Sequence, residues 1–226
     1  MTAALDIAAD GGVGHVGRER FEIRLRDEQL ADGARSKVVE TVHPVWINPP
    51  AETAAFIRWA AERYTEAPDL RPIHLVALMA TYPFFGDITA AVGRMLRSSG
   101  AVDSLQVRGR MKAQWGDRDA VSVATRKCLL TLRSFGVISG DRGSTTSTAG
   151  ERFCLSGDWA MWAVGALLLT RGSEMIDAPT VESAPEFFFL DVRVPATDAY
   201  PLLERLTSGD GRTVHSLRLK PGVISR

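Results

Sequence analysis

Cysteine is scarce in this chain of 226 residues, with only Cys128 and Cys154 present, in unrelated contexts. There is no C-x-x-C motif, and no histidine lies at zinc-ligand spacing from a cysteine or from another histidine. The sequence therefore gives no disulfide framework and no metal site. We expect a reducing, cytoplasmic location, with neither a metal nor another cofactor bound.

Long apolar runs are missing as well. The longest, residues 159–169, is shorter than the roughly 20 residues that a membrane-spanning helix needs, so we interpret it as a buried helix. The first ten residues carry Asp6 and Asp10 but no basic residue, so we expect no secretory signal and no membrane partner. With 45% hydrophobic and 24% charged residues, the chain is long enough to bury a core of its own.

An overall excess of either charge sign is also missing, since 27 basic residues balance 27 acidic ones. The total alone argues against a nucleic-acid partner, but the charge is unevenly distributed. Residues 88–143 hold ten basic and four acidic groups, a net charge of +6, whereas residues 1–69 sum to −4 and residues 144–226 to −2. Because salt screens exposed charges beyond about 8–10 Å, local charge matters more for phosphate binding than the total.

The patterns along the chain predict an α+β fold that is mainly helical, with a winged helix-turn-helix core between strand-containing N- and C-terminal parts. We divide the chain into four parts: a flexible tail over 1–17, strands plus a helix over 18–70, the winged helix-turn-helix over 71–148, and an α+β part over 149–226.

The flanking parts carry the predicted strands. Residues 21–26 alternate apolar and charged side chains, which is typical of a half-buried strand. Short strands over 38–42 and 45–47 and a helix from about Asn48 to Glu66 complete the N-terminal part. In the C-terminal part, we expect three elements after the buried helix: a strand over 187–194, a short helix over 200–206 and a strand over 213–219.

Residues 71–148 have the element order of a winged helix-turn-helix. Closely spaced helices are predicted from Pro72, Asp87, Leu105 and Ala120, and a Gly-rich turn over 140–143 joins two short strands. In this fold the last helix enters the DNA major groove and the hairpin, or wing, contacts the backbone.

The last helix of this region has two predicted faces. Placed at 100° per residue, five residues share the sector expected to face the core: Val121, Ala124, Cys128, Leu132 and Phe135. Arg126 and Arg133 lie seven residues apart on the opposite side. Leu130 lies beside them, which indicates packing on another element or a protein contact.

We therefore predict double-stranded DNA as the partner. Arginine suits guanine edges and phosphates because its guanidinium donates hydrogen bonds in pairs. Residues of the preceding helix are expected to contact the backbone. The predicted DNA-binding residues are Ser122, Thr125, Arg126, Lys127 and Arg133 on the last helix, Arg142 at the wing tip, and Arg108, Arg110 and Lys112 on the preceding helix.

No motif of an enzyme stands out. Residues 12–17 match G-x-G-x-x-G, but a dinucleotide site needs a strand before and a helix after these glycines. Here we expect a flexible tail before them and a strand after them. There is no G-x-S-x-G motif and no nuclease-like carboxylate cluster, so we expect no catalytic residues and no enzymatic activity.

Several segments of the central region carry a family resemblance. They are LVALMATYPFF over 75–85, Gly86-Asp87-Ile88, the basic helix, the group Ser122, Thr125, Arg126 and Lys127, and Leu132 followed by Gly136-Val137-Ile138. Over residues 71–140, about a third of the chain, this pattern resembles the BrxA-like proteins of bacterial BREX phage-defence systems. The resemblance implies a non-enzymatic, helical winged-helix accessory protein that binds DNA in antiviral defence. The strands predicted on either side depart from that family, in which more helix is expected.

Two other functions remain open. In a protein–protein adaptor, the winged helix would be architectural, and Leu130 and residues 82–85 would dock a larger defence or DNA-modifying enzyme, or a second copy to form a homodimer. A transcription regulator with a ligand pocket in the C-terminal part would instead prefer one operator strongly. Salt-dependent binding to duplex DNA separates the first function from the adaptor.

Overall fold

The computed structural model describes residues 2–12, 14–26, 32–141, 143–194, 200–209 and 211–217. The protein is mainly helical, at 64%, and the described residues also form three small sheets, so the mainly helical α+β class is confirmed at this level. The described chain divides into two units after Thr81.

The first unit is made of helices within the described residues. Their apolar faces meet in a core that includes the fully buried Phe21, Trp46 and Ile73. The helices are α1 (Thr2–Ala9), α2 (Gly14–Arg26), α3 (Asp32–Val42), a π-helical segment (His43–Ile47), α4 (Ala51–Arg63), a 3₁₀ turn (Tyr64–Glu66) and α5 (Leu70–Thr81).

The strands predicted for the N-terminal part are wrong. Residues 21–26 belong to α2, 38–42 to α3 and 45–47 to the π-helical segment. The reason is that the apolar residues also fit the helical period: Phe21 and Leu25, four residues apart, are both buried, whereas Ile23 between them is exposed. A short alternating run is ambiguous between the two periods, and helical packing decided it.

The prediction of a flexible tail over 1–17 is also wrong for its described residues. Helix α1 buries Ala4 and Leu5 completely, and the hydroxyl of Tyr64 donates a hydrogen bond to Asp6. Of the glycines in the G-x-G-x-x-G match, Gly12 lies between α1 and α2, whereas Gly14 and Gly17 belong to the first turn of α2, and close packing accounts for Gly17. A Cβ at Gly17 would lie 2.2 Å from the carbonyl oxygen of Gly12, so α2 approaches the preceding turn as only glycine allows.

The second unit, Tyr82–Leu217, combines helices with the three sheets. Its elements are α6 (Pro83–Ser99), β1 (Ala101–Asp103), α7 (Ser104–Trp115), α8 (Asp119–Ser134), β2 (Ile138–Ser139), β3 (Thr146–Ala149), β4 (Phe153–Ser156), α9 (Gly157–Arg171), β5 (Met175–Asp177), α10 (Ala178–Glu182), a 3₁₀ turn (Pro185–Phe187), β6 (Leu190–Arg193), β7 (Leu203–Thr207) and β8 (Thr213–Leu217).

The first sheet is formed by the strands that come directly before α7 and after α8. Its strand order is β1-β3-β2, all antiparallel, with Val102 opposite Ser147 and Ser139 opposite Thr148. The chain enters α7 directly from β1 and returns from α8 into β2. The sheet therefore holds both ends of the helix pair.

The remaining sheets cover the rest of the second unit. Strands β4 and β6 are parallel, and β5, β8 and β7 form an antiparallel sheet in that order. The predicted buried helix is confirmed as α9, which buries its residues from Trp159 to Leu168. At its end, Arg171 donates to both carboxylate oxygens of the buried Glu186, at 2.8 and 2.9 Å.

Two other expectations for the second unit are wrong. Residues 203–207 form β7, where a short helix was expected over 200–206, because they pair along their whole length with β8. Helix α6 begins at Pro83 rather than at Asp87, since proline suits the first turn of a helix. The strand at 213–217 and the end of α6 at Gly100, in the left-handed conformation, are confirmed.

Among the described residues, no single helix is long and apolar enough to cross a membrane, although α5 and α6 meet the length and composition criteria when taken together.

Candidate nucleic-acid interface

Helix α8 buries one face against the rest of the second unit. Val121, Thr125, Leu129 and Leu132 are buried at a spacing of four, four and three residues. Of the five predicted core residues, Val121 and Leu132 are buried, whereas the other three are half-buried. The core face is thus rotated from the predicted sector toward the side of Thr125 and Leu129.

Thr125 does not lie on an exposed face. It is 1% exposed, and its hydroxyl donates to the backbone oxygen of Val121 at 2.8 Å, one turn earlier in the helix. The structure therefore does not place Thr125 on the surface with the other predicted DNA-binding residues. A threonine satisfies its hydroxyl within a helix in this way, which allows it to occupy a buried position.

The outward face of α8 carries cationic and apolar side chains in one stripe. Its members follow the helical spacing i, i+3, i+4, i+7 and are all exposed: Val123, Arg126, Lys127 and Leu130. Val123 is 43% exposed and Leu130 54%. We refer to these four residues as the outward stripe. The sequence already placed Leu130 beside the arginines, but the exposure of Val123 was not expected.

Arg133, unlike Arg126, forms side-chain hydrogen bonds within the described part of the protein. Its guanidinium donates to the hydroxyl of Ser147 at 2.8 and 3.2 Å and to the backbone oxygen of Ser144 at 3.3 Å. Ser147 is buried in β3. Arg133 therefore ties the end of α8 to the β2–β3 hairpin, and its half-buried side chain is not the freely exposed groove-reading group that the sequence predicted.

Helix α7 lies beside α8 and contributes further cations. The side chain of Asp103 caps it by accepting from the backbone N–H of Leu105, and Val107 and Met111 face the core. Arg108 and Arg110 are both exposed and flank this core face on its two sides. Lys112 forms an ion pair of 2.5 Å with Asp117 and is half-buried, so its charge is already partly compensated.

Asp87, where the sequence predicts the start of a helix, joins α6 to α7 through its carboxylate. One oxygen of Asp87 accepts from the side-chain nitrogens of Gln114 and Trp115, both at 2.8 Å. The Trp115 ring also meets Phe84 edge-on, at 5.4 Å between centroids. These contacts hold the end of α7 on α6, and the polar residue at position 87 thus has a structural partner.

A groove of about 700 Å³ runs between α7 and α8. Ser104, Leu105 and Arg108 line it from α7, Ser122, Arg126 and Leu130 from α8, and Thr145 from the hairpin. Ser122 is half-exposed at the wall of this groove, and Leu105 is 50% exposed. The structure thus brings Ser122, Arg126 and Arg108 together, as a shared ligand surface requires.

Two exposed cations line this groove, Arg108 and Arg126, and two more, Arg110 and Lys127, are exposed elsewhere on α7 and α8. Among the described residues, none of the four has an ion-pair partner. Arg142, the predicted wing-tip contact, lies outside the described residues. The surface can therefore accept several anionic groups in a row without first breaking an internal ion pair.

The described residues offer little to metal or thiol chemistry. They contain no group of three or more His, Cys, Asp or Glu side chains placed to hold a metal ion. Burial raises the pKa of the Cys128 thiol to about 11, which keeps it protonated and unreactive at neutral pH. Burial also lowers the pKa of His74 to about 3, so this residue of the first unit stays neutral.

Comparison with known proteins gives no relative for this surface: no family model, no curated protein and no solved structure matches the chain.

Proposed function

We propose that the region from α6 to β3 is a winged helix-turn-helix and that this protein is a non-enzymatic DNA-binding accessory protein. The element order supports the proposal: a strand, two helices and a hairpin, with β3 between β1 and β2. In such a domain α8 would enter the major groove and the β2–β3 hairpin would lie along the backbone.

One observation carries the DNA-binding proposal. Arg108 and Arg110 of α7 and Arg126 and Lys127 of α8 are exposed, and none of them has an ion-pair partner among the described residues. They belong to the segment with a net charge of +6. Phosphate binding releases counterions from DNA, so unpaired surface cations at this density favour a duplex.

The resemblance to BrxA-like proteins gives this proposal its biological setting. The strands that set the N-terminal part apart from that family are replaced by helices in the structure. A role in phage defence, with other defence proteins as partners, is the setting we propose, and the genes next to this one provide its first check.

The proposal is tested by fluorescence anisotropy with a labelled duplex over a series of salt concentrations. We expect the wild-type protein to bind, with affinity falling steeply as salt rises. Replacing Arg126 and Lys127 together by alanine should weaken binding at least about tenfold, or about 1.4 kcal/mol. The slope of log affinity against log salt should become shallower by about one for each phosphate that the variant no longer binds.

Arg18 provides the matched control for this experiment. It is an exposed arginine on α2 that pairs with Glu22 at 2.9 Å. Arg18→Ala removes one positive charge from the first unit, so the duplex affinity should change less than twofold. Wild-type protein that shows no salt-dependent binding to any duplex would contradict the proposed function.

A protein–protein adaptor is the second candidate, because three exposed apolar residues lie on the same surface. Leu105, Val123 and Leu130 all line the groove, and clusters of exposed apolar side chains mark protein contacts more often than solvated faces. Sedimentation of the purified protein, alone and with proteins encoded by adjacent genes, tests this candidate. A change in mass that Leu105→Ser and Leu130→Ser abolish would support it.

A further inference from the structure

The outward stripe of α8 alternates apolar and cationic residues in a way that simple phosphate binding does not require. Val123 and Leu130 stand at its two ends, each about half exposed, and Arg126 and Lys127 lie between them. A surface that only attracts phosphate would be served by polar residues at the two ends, at no cost of exposed apolar area.

On α8, the two apolar residues are separated by cations. Two turns of helix, about 10.5 Å of rise, lie between positions 123 and 130, and the two cations occupy the turn between them. Across the groove, α7 contributes one further exposed apolar residue, Leu105. A protein partner would favour a continuous apolar area of several side chains, which the cations of α8 interrupt. Val123 and Leu130, each flanked by a cation, suit a ligand whose small apolar groups are set among negative charges.

The DNA major groove displays one apolar group of this kind, the 5-methyl group of thymine. Cytosine presents the same group when it is methylated at C5. A rise of about 10.5 Å along α8 corresponds to about three base steps of 3.4 Å, so the two ends of the stripe are spaced to meet methyl groups a few base pairs apart. The cations between them would face phosphates or guanine edges.

We propose that Val123 and Leu130 contact pyrimidine 5-methyl groups in the major groove, so that the protein prefers duplexes carrying them. This inference rests on the proposed function, because it assumes that α8 enters the major groove. It makes Val123 and Leu130 determinants of specificity, while Arg126 and Lys127 supply affinity for any sequence.

Duplexes of one sequence with thymine or with deoxyuridine provide the direct test. We expect the wild-type protein to bind the deoxyuridine duplex about three- to tenfold more weakly, because one or two methyl groups are then no longer buried. A second pair, with cytosine or 5-methylcytosine in a thymine-free duplex, separates the two sources of the methyl group. Tighter binding of the methylated member supports reading of the methyl group itself, whereas equal binding there limits the preference to thymine.

The double variant Val123→Ala, Leu130→Ala assigns the effect to these residues. Because both side chains are exposed, we expect the variant to fold as the wild type does, with an unchanged melting temperature. It should bind the deoxyuridine duplex within about twofold of wild type but no longer distinguish it from the thymine duplex. Met175→Ala is the matched control, since Met175 is 55% exposed on β5 and should leave the discrimination intact.

The outcomes separate the inference from the proposed function. Salt-dependent binding with equal affinity for all four duplexes would overturn methyl reading and leave DNA binding standing. Discrimination that survives in the double variant would overturn the assignment to Val123 and Leu130. Absence of binding to every duplex would overturn the proposed function and this inference together.

Discussion

Arginines at different places in the two units differ in what their guanidinium groups contact. In the first unit, four of them pair with carboxylates at 2.6–3.4 Å: Arg18 with Glu22, Arg20 with Asp10, Arg63 with Glu62 and Arg71 with Asp69. On α7 and α8, Arg108, Arg110 and Arg126 have no such partner among the described residues. The same residue type thus neutralises a local charge at some positions, among them Arg171 and Arg193 of the second unit, and stays available to an external anion on α7 and α8.

This difference explains how a chain with no net charge can present a cationic surface. Exposed ion pairs contribute little to stability, typically below about 1 kcal/mol, so the pairs in the first unit matter mainly because they neutralise its arginines. Arginine makes up a similar proportion of both units, so its presence alone does not distinguish their suitability for phosphate. The partner of each arginine distinguishes α7 and α8 from the four paired positions.

The largest effect we expect comes from the packed side of the second unit. A Cβ at Gly93 on α6 would lie 1.9 Å from the backbone oxygen of Pro185, so Gly93→Ala must push α6 away from the 3₁₀ turn. We expect a loss of about 2–4 kcal/mol in the free energy of unfolding, measured by urea denaturation. Gly109→Ala on α7 is the control: a Cβ there meets open space, and the variant should gain about 0.5–1 kcal/mol.

We expect the stability of the first unit to decrease at acid pH because of His74. His74 is buried against the edge of the Trp46 ring, at 5.5 Å between centroids, and burial lowers its pKa from 6.5 to about 3. In the unfolded chain the imidazole takes up a proton below pH 6.5, whereas in the folded protein it stays neutral. The stability is therefore complete above pH 6.5 and falls as the pH decreases toward 3.

Between pH 6.5 and pH 5 we expect His74 to account for about 2 kcal/mol of this loss, since each pH unit is worth at most about 1.4 kcal/mol. Denaturation curves at several pH values measure it. His74→Phe removes the titrating group, so the pH dependence over this range should become shallower by that amount. An unchanged slope in the variant would contradict the assignment to His74.

Arg133 and Arg126 allow a hydrogen-bonded arginine to be compared, on the same helix α8, with one that is unpaired among the described residues. Arg133→Ala removes the hydrogen bonds to Ser147 and Ser144, and we expect a loss of about 1–2 kcal/mol in the free energy of unfolding. Arg126→Ala should change stability by less than about 0.5 kcal/mol but lower the affinity for duplex DNA. If Arg126→Ala destabilised the protein as much as Arg133→Ala, Arg126 would also have a structural role, and the distinction between the two arginines would be wrong.

The smallest effect belongs to the paired arginines of the first unit. Breaking the Arg18–Glu22 pair, which has the i, i+4 spacing on α2, should cost about 0.3–0.5 kcal/mol in stability. Measuring Arg18→Ala at low and at high salt sharpens the result, because screening should reduce the difference from wild type.

Much of the second unit could be predicted from local signals. Gly100 and Gly116 mark the ends of α6 and α7, and the apolar run from Trp159 marks α9. The helix predicted from about Asn48 to Glu66 is also present, as α4 and the 3₁₀ turn that follows it. The start of the first unit could not be predicted, because the alternation over 21–26 satisfies a strand and a helix equally well. Only its packing against neighbouring helices decides between them.

The candidate site was predictable in part for a similar reason. Helical spacing places Arg126 and Leu130 on one outward face, and the structure keeps them there. The burial of Thr125 depends on a small rotation of α8 that spacing alone does not set. The role of Arg133 depends on Ser147, a residue 14 positions away whose location follows from the sheet.

The pairing of β1 with β3 has a consequence for how the chain acquires its binding surface. Val102 and Ser147 are partners across 45 residues of sequence, with both α7 and α8 in the intervening loop. Helices form from local contacts within microseconds, whereas closing so long a loop is slower because its entropy must be lost first. We expect the two helices to form before this distant pairing closes, and the sheet then fixes both ends of the helix pair that lines the groove.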